Sequence, residues 1–389
     1  MESKRLYLLV RYRVYNKAST YYRAMKKHII RAIFIVVTAS VLNSCGLAYY
    51  FEQSIPGHFS LMLKMKEIDL VIRSNVNENT KQKLKTVLKA RHFASTHLSL
   101  PENESYTYYA DIDRPYVTWN VVASPSLSLK PKTWCYFIIG CAVYRGYFNE
   151  EDAKAEAQSL VLQGYDVHIG GATAYSTLGF FIDPVLSTMI KWQDFQLAGI
   201  IFHELSHQEL YIKNDTAFNE AFATSVELIG TTQWILSEQA HMMNEFLAAI
   251  SRAEEFRLLK KSVRDELSTL YESNQNTEFK LARKKEIFQE MQKEYERLKT
   301  IWGKPYYDSW FNMPLNNARL ISDAAYWQHV PAFLALYVDS KLDWRTFFES
   351  CKTISELNKK EREARFLELE AKGVGLNQIL EILRQNTPT

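Results

Sequence analysis

His203-Glu204-Leu205-Ser206-His207 stands inside the run Leu197-Ala198-Gly199-Ile200-Ile201-Phe202-His203-Glu204-Leu205-Ser206-His207-Gln208-Glu209-Leu210. Neither proline nor glycine interrupts it between Ile200 and Leu210, and Leu197, Ile200, Ile201 and Leu205 form an apolar stripe at helical spacing. The pattern predicts a buried helix with Asp194 as its N-cap. Residues four apart on a helix share a face, so both imidazoles can reach one metal ion, with Glu204 beside the first of them. Buried polar groups need partners, and a metal supplies them. With nine histidines in 389 residues, chance rarely produces this spacing.

The spacing is the H-E-x-x-H signature of zinc peptidases, two histidine ligands and a glutamate as general base. A catalytic zinc takes a third protein ligand and leaves its fourth position to water. Glu220, in Thr216-Ala217-Phe218-Asn219-Glu220-Ala221, is the favoured third ligand. It would lie on a second helix that begins after the turn Lys213-Asn214-Asp215-Thr216. Asp215 and Glu227 are rival ligands; Asp215 also reads as a turn residue or helix cap, and Glu209 as a solvated charge. One Zn2+ per chain is expected, with Glu204 taking a proton from water and passing it to the leaving amine. Tyr175, Tyr326 and His329 are open as donors to the oxyanion, Tyr326 preferred. Residues 165–171 and 174–181 read as two strands around a glycine-rich turn, the strand edge ahead of the helix being a place where an extended peptide can add by main-chain pairing. Tyr175, Ser176, Thr177 and Asn317 are expected to touch substrate, and His168 to pack within its strand.

Beyond the motif itself, several blocks match one family. They include Arg114-Pro115-Tyr116-Val117-Thr118-Trp119-Asn120-Val121, Gly140-Cys141-Ala142-Val143-Tyr144-Arg145-Gly146-Tyr147-Phe148, Ala174-Tyr175-Ser176-Thr177-Leu178-Gly179, Asp183-Pro184-Val185 and Asn316-Asn317-Ala318-Arg319-Leu320. With these, nearly all of the chain after residue 45 resembles the predicted aminopeptidase family of bacterial lipoproteins, a gluzincin-type zinc-peptidase family. The resemblance implies His203, His207 and Glu220 as zinc ligands and Glu204 as the catalytic base, acting on a peptide or polypeptide substrate. It implies exopeptidase specificity less firmly than metallopeptidase chemistry. A cell-wall peptide hydrolase would use the same metal, and a non-catalytic tethered binding lipoprotein would keep only the scaffold.

The amino end carries a basic region, Lys26, Lys27 and Arg31, then an apolar stretch over 32–42 that is too short for a standard membrane span. It ends at Leu42-Asn43-Ser44-Cys45-Gly46. Residues 1–44 therefore read as a lipoprotein signal peptide, with Met25 a tidier start, and Cys45 as the lipidated residue. Acyl chains on Cys45 would hold the protein in the bacterial cell envelope, on the outer membrane or the periplasmic face. The chain's formal charge is +3, but residues 1–44 hold +8 of it, leaving −5 for the remainder and no case for nucleic-acid binding. Cys135 and Cys141 flank a short loop and are expected to form a disulfide, leaving Cys351 alone and buried.

Residues 45–389 are expected to form one α+β, zincin-like domain: a small mixed sheet beside the H-E-x-x-H helix, and a largely helical carboxy-terminal half. Residues 105–182 carry the strand signals. The charged amphipathic pattern from about 255 to 300, broken at Ser273-Asn274-Gln275-Asn276, predicts a helical hairpin packed on the core. Oligomeric state has no signal.

Overall fold

The computed structural model describes residues 55–136, 140–174, 176–322 and 327–386. Its main compact unit runs from residue 58 onward. The chain order is strand-poor at first, with β1 (Met65–Glu67), α1 (Ile68–Arg73) and α2 (Glu78–His97), then β2 (Tyr108–Ala110), β3 (Thr118–Pro125), β4 (Trp134–Tyr136), β5 (Gly140–Ala142) and β6 (Arg145–Tyr147). Helix α3 (Glu150–Leu162), β7 (Tyr165–Ala172) and β8 (Val185–Leu186) lead into α4 (Asp194–Glu209) and α5 (Thr216–Glu238). Long helices α6 (Met243–Glu272) and α7 (Thr277–Trp302) follow. The chain closes with α8 (Asp308–Phe311), α9 (Asn317–Ile321), α10 (Val330–Asp339), α11 (Trp344–Glu356), α12 (Lys359–Glu370) and α13 (Leu376–Asn386).

The architecture is mixed α and β, but the strands form three small sheets among the described residues rather than one. In the first, β2 lies between antiparallel β1 and parallel β8. In the second, β3 lies between β6 and β7, all antiparallel. The third is the hairpin β4–β5. Residues 165–171 depart from the expected turn: β7 runs straight through Gly170 and Gly171, in register with β3 from Thr118↔Ala172 to Pro125↔Tyr165. Gly171 serves close approach, because a Cβ there would stand 2.3 Å from the Tyr116 ring. In place of the expected second strand over 174–181, residues 174 and 176–181 form a loop. Asp183 captures it, accepting from Thr177 N at 2.9 Å and Ser176 Oγ at 3.2 Å.

Most of the core surrounds α4, where Phe195, Leu197, Ala198, Ile201, Phe202 and Leu205 are buried against residues of α2, α5 and α10. The cap differs by one residue from expectation. Gln193 is the N-cap, and Asp194 in the first turn instead pairs with Lys83 Nζ at 2.7 Å, a carboxylate favoured there by the helix dipole. A second cluster joins α6 and α7 to α8 and α9 through Phe256, Leu267, Ile287, Tyr295, Phe311 and Leu320. The two long helices are separated at 273–276, where Asn276 caps α7 by accepting from Phe279 N. No helix among the described residues is long and apolar enough to cross a membrane.

Candidate metal centre

Helices α4 and α5 are joined by a short connection that is tied down twice. Asn219, buried in the first turn of α5, accepts from Ile212 N and donates to Ile212 O, both at 2.8 Å. Asp215 caps α5 through Phe218 N at 3.1 Å, and Arg362 Nη2 donates to its other oxygen at 2.5 Å. That cap role removes Asp215 as a rival ligand. Glycines let the two helices approach: a Cβ on Gly230 would lie 2.7 Å from Leu98 and 3.1 Å from Phe202, and one on Gly199 3.1–3.2 Å from Thr231 and Glu227. Glu220 sits next to the clamped Asn219, so the loop lock and the close crossing together set its place over the α4 histidines.

The His203, His207 and Glu220 ligand atoms all lie within 4.8 Å of one another. Glu220 Oε2 is 3.4 Å from His203 Nε2 and 3.8 Å from His207 Nε2. Tetrahedral ligands about 2.0–2.1 Å from a zinc stand roughly 3.3 Å apart, so the donor set needs only small closure to hold one. On its other side His203 Nδ1 meets Glu227 Oε2 at 3.0 Å. Glu227 is thus a carboxylate behind a candidate ligand, orienting its ring, and not itself a member of the cluster. Nδ1 of His207 is buried without a partner, so only one of the two rings is oriented by a carboxylate.

Burial alone would depress the His203 imidazole, but hydrogen bonds to Glu220 and Glu227 override it and hold the ring well above the usual histidine range. Burial pushes His207 down to about 4, aided by the charge on His203 and opposed by Glu220. Burial works to raise Glu220, but its hydrogen bond to His203 and the imidazole charges keep it below the usual carboxylate range. Two carboxylates around buried imidazoles demand positive charge, which a proton meets in part and a divalent cation meets better.

Glu204 lies between the charges of His203 and Glu220 and a polar wall that begins at Ser176. Burial raises its carboxyl to about 7; His203 opposes this, while the charges of Glu220 and Asp183 add to it and the Ser176 hydroxyl favours ionisation. Asp183 is fully buried. It accepts from Ser176 and Thr177, lies 3.5 Å from Gln208 Nε2, and its backbone accepts from Tyr106 N at 2.7 Å. Arg91 locks the segment carrying Tyr106 by donating to Pro101 O, Asn103 O and Ser105 O. Tyr106 has a left-handed backbone, φ 65°, and a buried hydroxyl that lies beside the Ser176 side chain. Burial, then the charges of Glu204 and Asp183, hold its phenol well above the usual range.

A family model described as "Putative aminopeptidase" matches residues 49–366. The chain belongs to that family. No curated protein and no solved structure matches it.

For this member of the aminopeptidase family, the other residues singled out by sequence fall in distinct places. Ser176 stands beside Glu204. Thr177 holds the same loop through its amide, and its hydroxyl donates to Phe181 O at 3.1 Å. Asn317 is fully buried and its amide is spent on Pro125 O, Ser126 O and Ser128 O, each at 3.1 Å, and on Tyr271 Oη at 2.8 Å. It locks the turn after β3 and is not brought to the metal cluster. His329 is a buried residue stacked on Phe366, with Glu370 at 3.4 Å. Tyr175, Tyr326 and Cys45 lie outside the described residues. Glu209 is tied to Lys352 at 2.5 Å rather than free in solvent. Cys135 and Cys141 oppose each other across β4–β5 and are disulfide-bonded, and Cys351 is buried alone. Sequence patterns passed over Tyr211, whose ring is 6.3 Å from that of His207. Cys141 N donates to Asn214 Oδ1 at 2.9 Å, docking the hairpin on the loop that carries Tyr211.

Proposed function

We propose that the chain is a zinc metallopeptidase of aminopeptidase type, holding one Zn2+ through His203, His207 and Glu220. The observation that carries this is the convergence of those three donors from two helices, with Glu204 next in sequence to the first. A bound zinc would supply Lewis acidity toward water and the scissile carbonyl. Glu204 takes the proton from the attacking water and delivers it to the leaving amine, a task suited to a carboxyl near 7. Ser176, anchored by Asp183, orients Glu204. Glu227 keeps His203 Nε2 turned to the centre. The peptide lies along β7, which among the described residues pairs only with β3; beyond Val167, whose carbonyl accepts from Asn316 Nδ2 at 2.9 Å, its other edge is left for main-chain addition. Lipid on Cys45, after removal of residues 1–44, tethers the enzyme in the cell envelope.

The test pairs metal content with turnover. The purified protein is expected to hold one zinc and to release amino-terminal coumarin from peptides with a free amine. Glu204→Gln is expected to keep zinc and lose about 10²–10⁴-fold in turnover, the usual worth of a general base. Stoichiometric zinc with no cleavage of free-amine or blocked peptides would overturn the peptidase assignment, and preference for cell-wall stem peptides would move its substrate class.

A further inference from the structure

We propose that the uncovered half of the β6–β3–β7 sheet face is a subsite for a substrate carboxylate, with the Asn120 amide and the His168 imidazole as its donors; the identity of the occupant rests on the peptidase assignment. Asn120 is opposed by Gly146 on β6 and by Gly170 on β7, one row across three strands. Opposed residues point to the same face, so no side chain stands on either flank of Asn120. A Cβ at Gly146 would come 3.0 Å from Asn120 Oδ1, and one at Gly170 3.4 Å from His168 Nε2. The two glycines thus clear the space beside two polar groups. Thr118 Oγ1 donates to Asn120 Oδ1 at 3.2 Å, and the amide nitrogen has no partner among the described residues.

In the next row His168 stands opposite Val122. Arg319 Nη1 donates to its Nδ1 at 3.1 Å, which places the imidazole proton on Nε2, over Gly170. Burial and the Arg319 charge hold the ring down at about 4, so near neutral pH it is an uncharged donor. Arg319 is 3% exposed, lies over the Trp310 ring at 4.9 Å, bonds Ser309 O and Met313 Sδ, pairs with no carboxylate, and leaves Nε without a partner. A buried cation without counter-charge is costly. A carboxylate accepting from His168 Nε2 and Asn120 Nδ2 brings that counter-charge within one imidazole of it. Toward Asp166 the same face is closed, since Asp166 takes Lys284 Nζ and Asn317 N; from His168 to Gly170 it is half-exposed. Ser176, beside Glu204, is six positions along the chain from Gly170, at most about 21 Å of extended chain. A substrate spanning both has up to about six residues between the scissile bond and its carboxyl end.

Binding to zinc-loaded Glu204→Gln protein tests this without turnover. The probes are six- to eight-residue peptides ending in a free carboxyl or a carboxamide, read by fluorescence anisotropy. The free acid is expected to bind about tenfold tighter, the worth of a charge-assisted hydrogen bond. Asn120→Leu and His168→Phe are each expected to reduce that ratio with little change in amide binding, and His168→Gln, which keeps a donor, to restore part of it; zinc stoichiometry checks that each variant folds. Equal binding of acid and amide, or a preference untouched in both variants, overturns the subsite. Should unmutated protein cleave acid and amide peptides with equal KM, the subsite fails and the peptidase assignment stands. Should Glu204→Gln protein prefer the acid while unmutated protein cleaves nothing, the subsite stands and that assignment fails.

Discussion

Glu227→Ala perturbs the centre without removing a proposed ligand atom. Glu227 Oε2 accepts from His203 Nδ1 at 3.0 Å, which keeps a proton on Nδ1 and turns Nε2, the nitrogen a metal would take in place of a proton, toward Glu220. An orienting carboxylate behind a histidine ligand is worth about 10–100-fold in metal affinity, roughly 1.4–2.7 kcal/mol. The Glu227 side chain is 38% exposed, so water competes for both partners and the lower end applies, about tenfold. Glu227→Gln keeps an acceptor and loses the charge. Charge-assisted hydrogen bonds are about twice as strong as neutral ones, so glutamine recovers about half of the free energy and leaves about a threefold loss. Zinc affinity measured by chelator competition should fall in the order unmutated, Glu227→Gln, Glu227→Ala, Glu220→Ala. Unchanged affinity in Glu227→Ala refutes the orienting role, and unchanged affinity in Glu220→Ala refutes the third ligand.

Asp183, buried and held at about 6 against an ordinary 3.8, gives a pH signature. Its folded value is raised, so its contribution to stability is full below about pH 4 and lost as pH rises through 6; chemical denaturation of the metal-free protein should show Asp183→Asn gaining up to about 3 kcal/mol on the unmutated chain between pH 4 and 7, and a pH-independent difference refutes the burial argument. Replacing Cys135 and Cys141 by serine opens a loop with a sequence separation of 6 and should cost about 2 kcal/mol; an unchanged denaturation midpoint would show the bridge to be energetically idle. Tyr106→Phe removes a buried hydroxyl that lies beside Ser176 and within reach of the Glu204 and Asp183 charges, and should lower kcat with zinc content unchanged; an unchanged kcat excludes Tyr106 from the site.

The centre was legible in the sequence where its information is local. Helical spacing puts His203 and His207 on one face, and the turn at 213–216 with Asp215 as cap starts the helix that carries Glu220. Glu227 follows Glu220 by two turns of the same helix, and that spacing points to a second carboxylate on the ligand face. The role it plays needed the crossing of α4 and α5, which depends on Gly199 and Gly230 meeting residues distant in sequence. The strands were harder for the same reason. A glycine pair in a polar stretch carries the usual turn signal, yet at 170–171 the glycines yield to a ring from residue 116 and to an imidazole from 168. Pairing across β6, β3 and β7 decides that, and no window within one strand contains it. The wall behind Glu204 is assembled from Arg91, Tyr106, Ser176, Asp183 and Gln208, and each of these residue types is common on ordinary surfaces. What marks them is cost: a left-handed tyrosine with a buried hydroxyl and a fully buried aspartate are arrangements that packing alone does not favour. They sit together behind the one carboxylate that the proposed chemistry needs near 7, where a more apolar or more negative wall would leave Glu204 protonated and a positive one would leave it too weak a base.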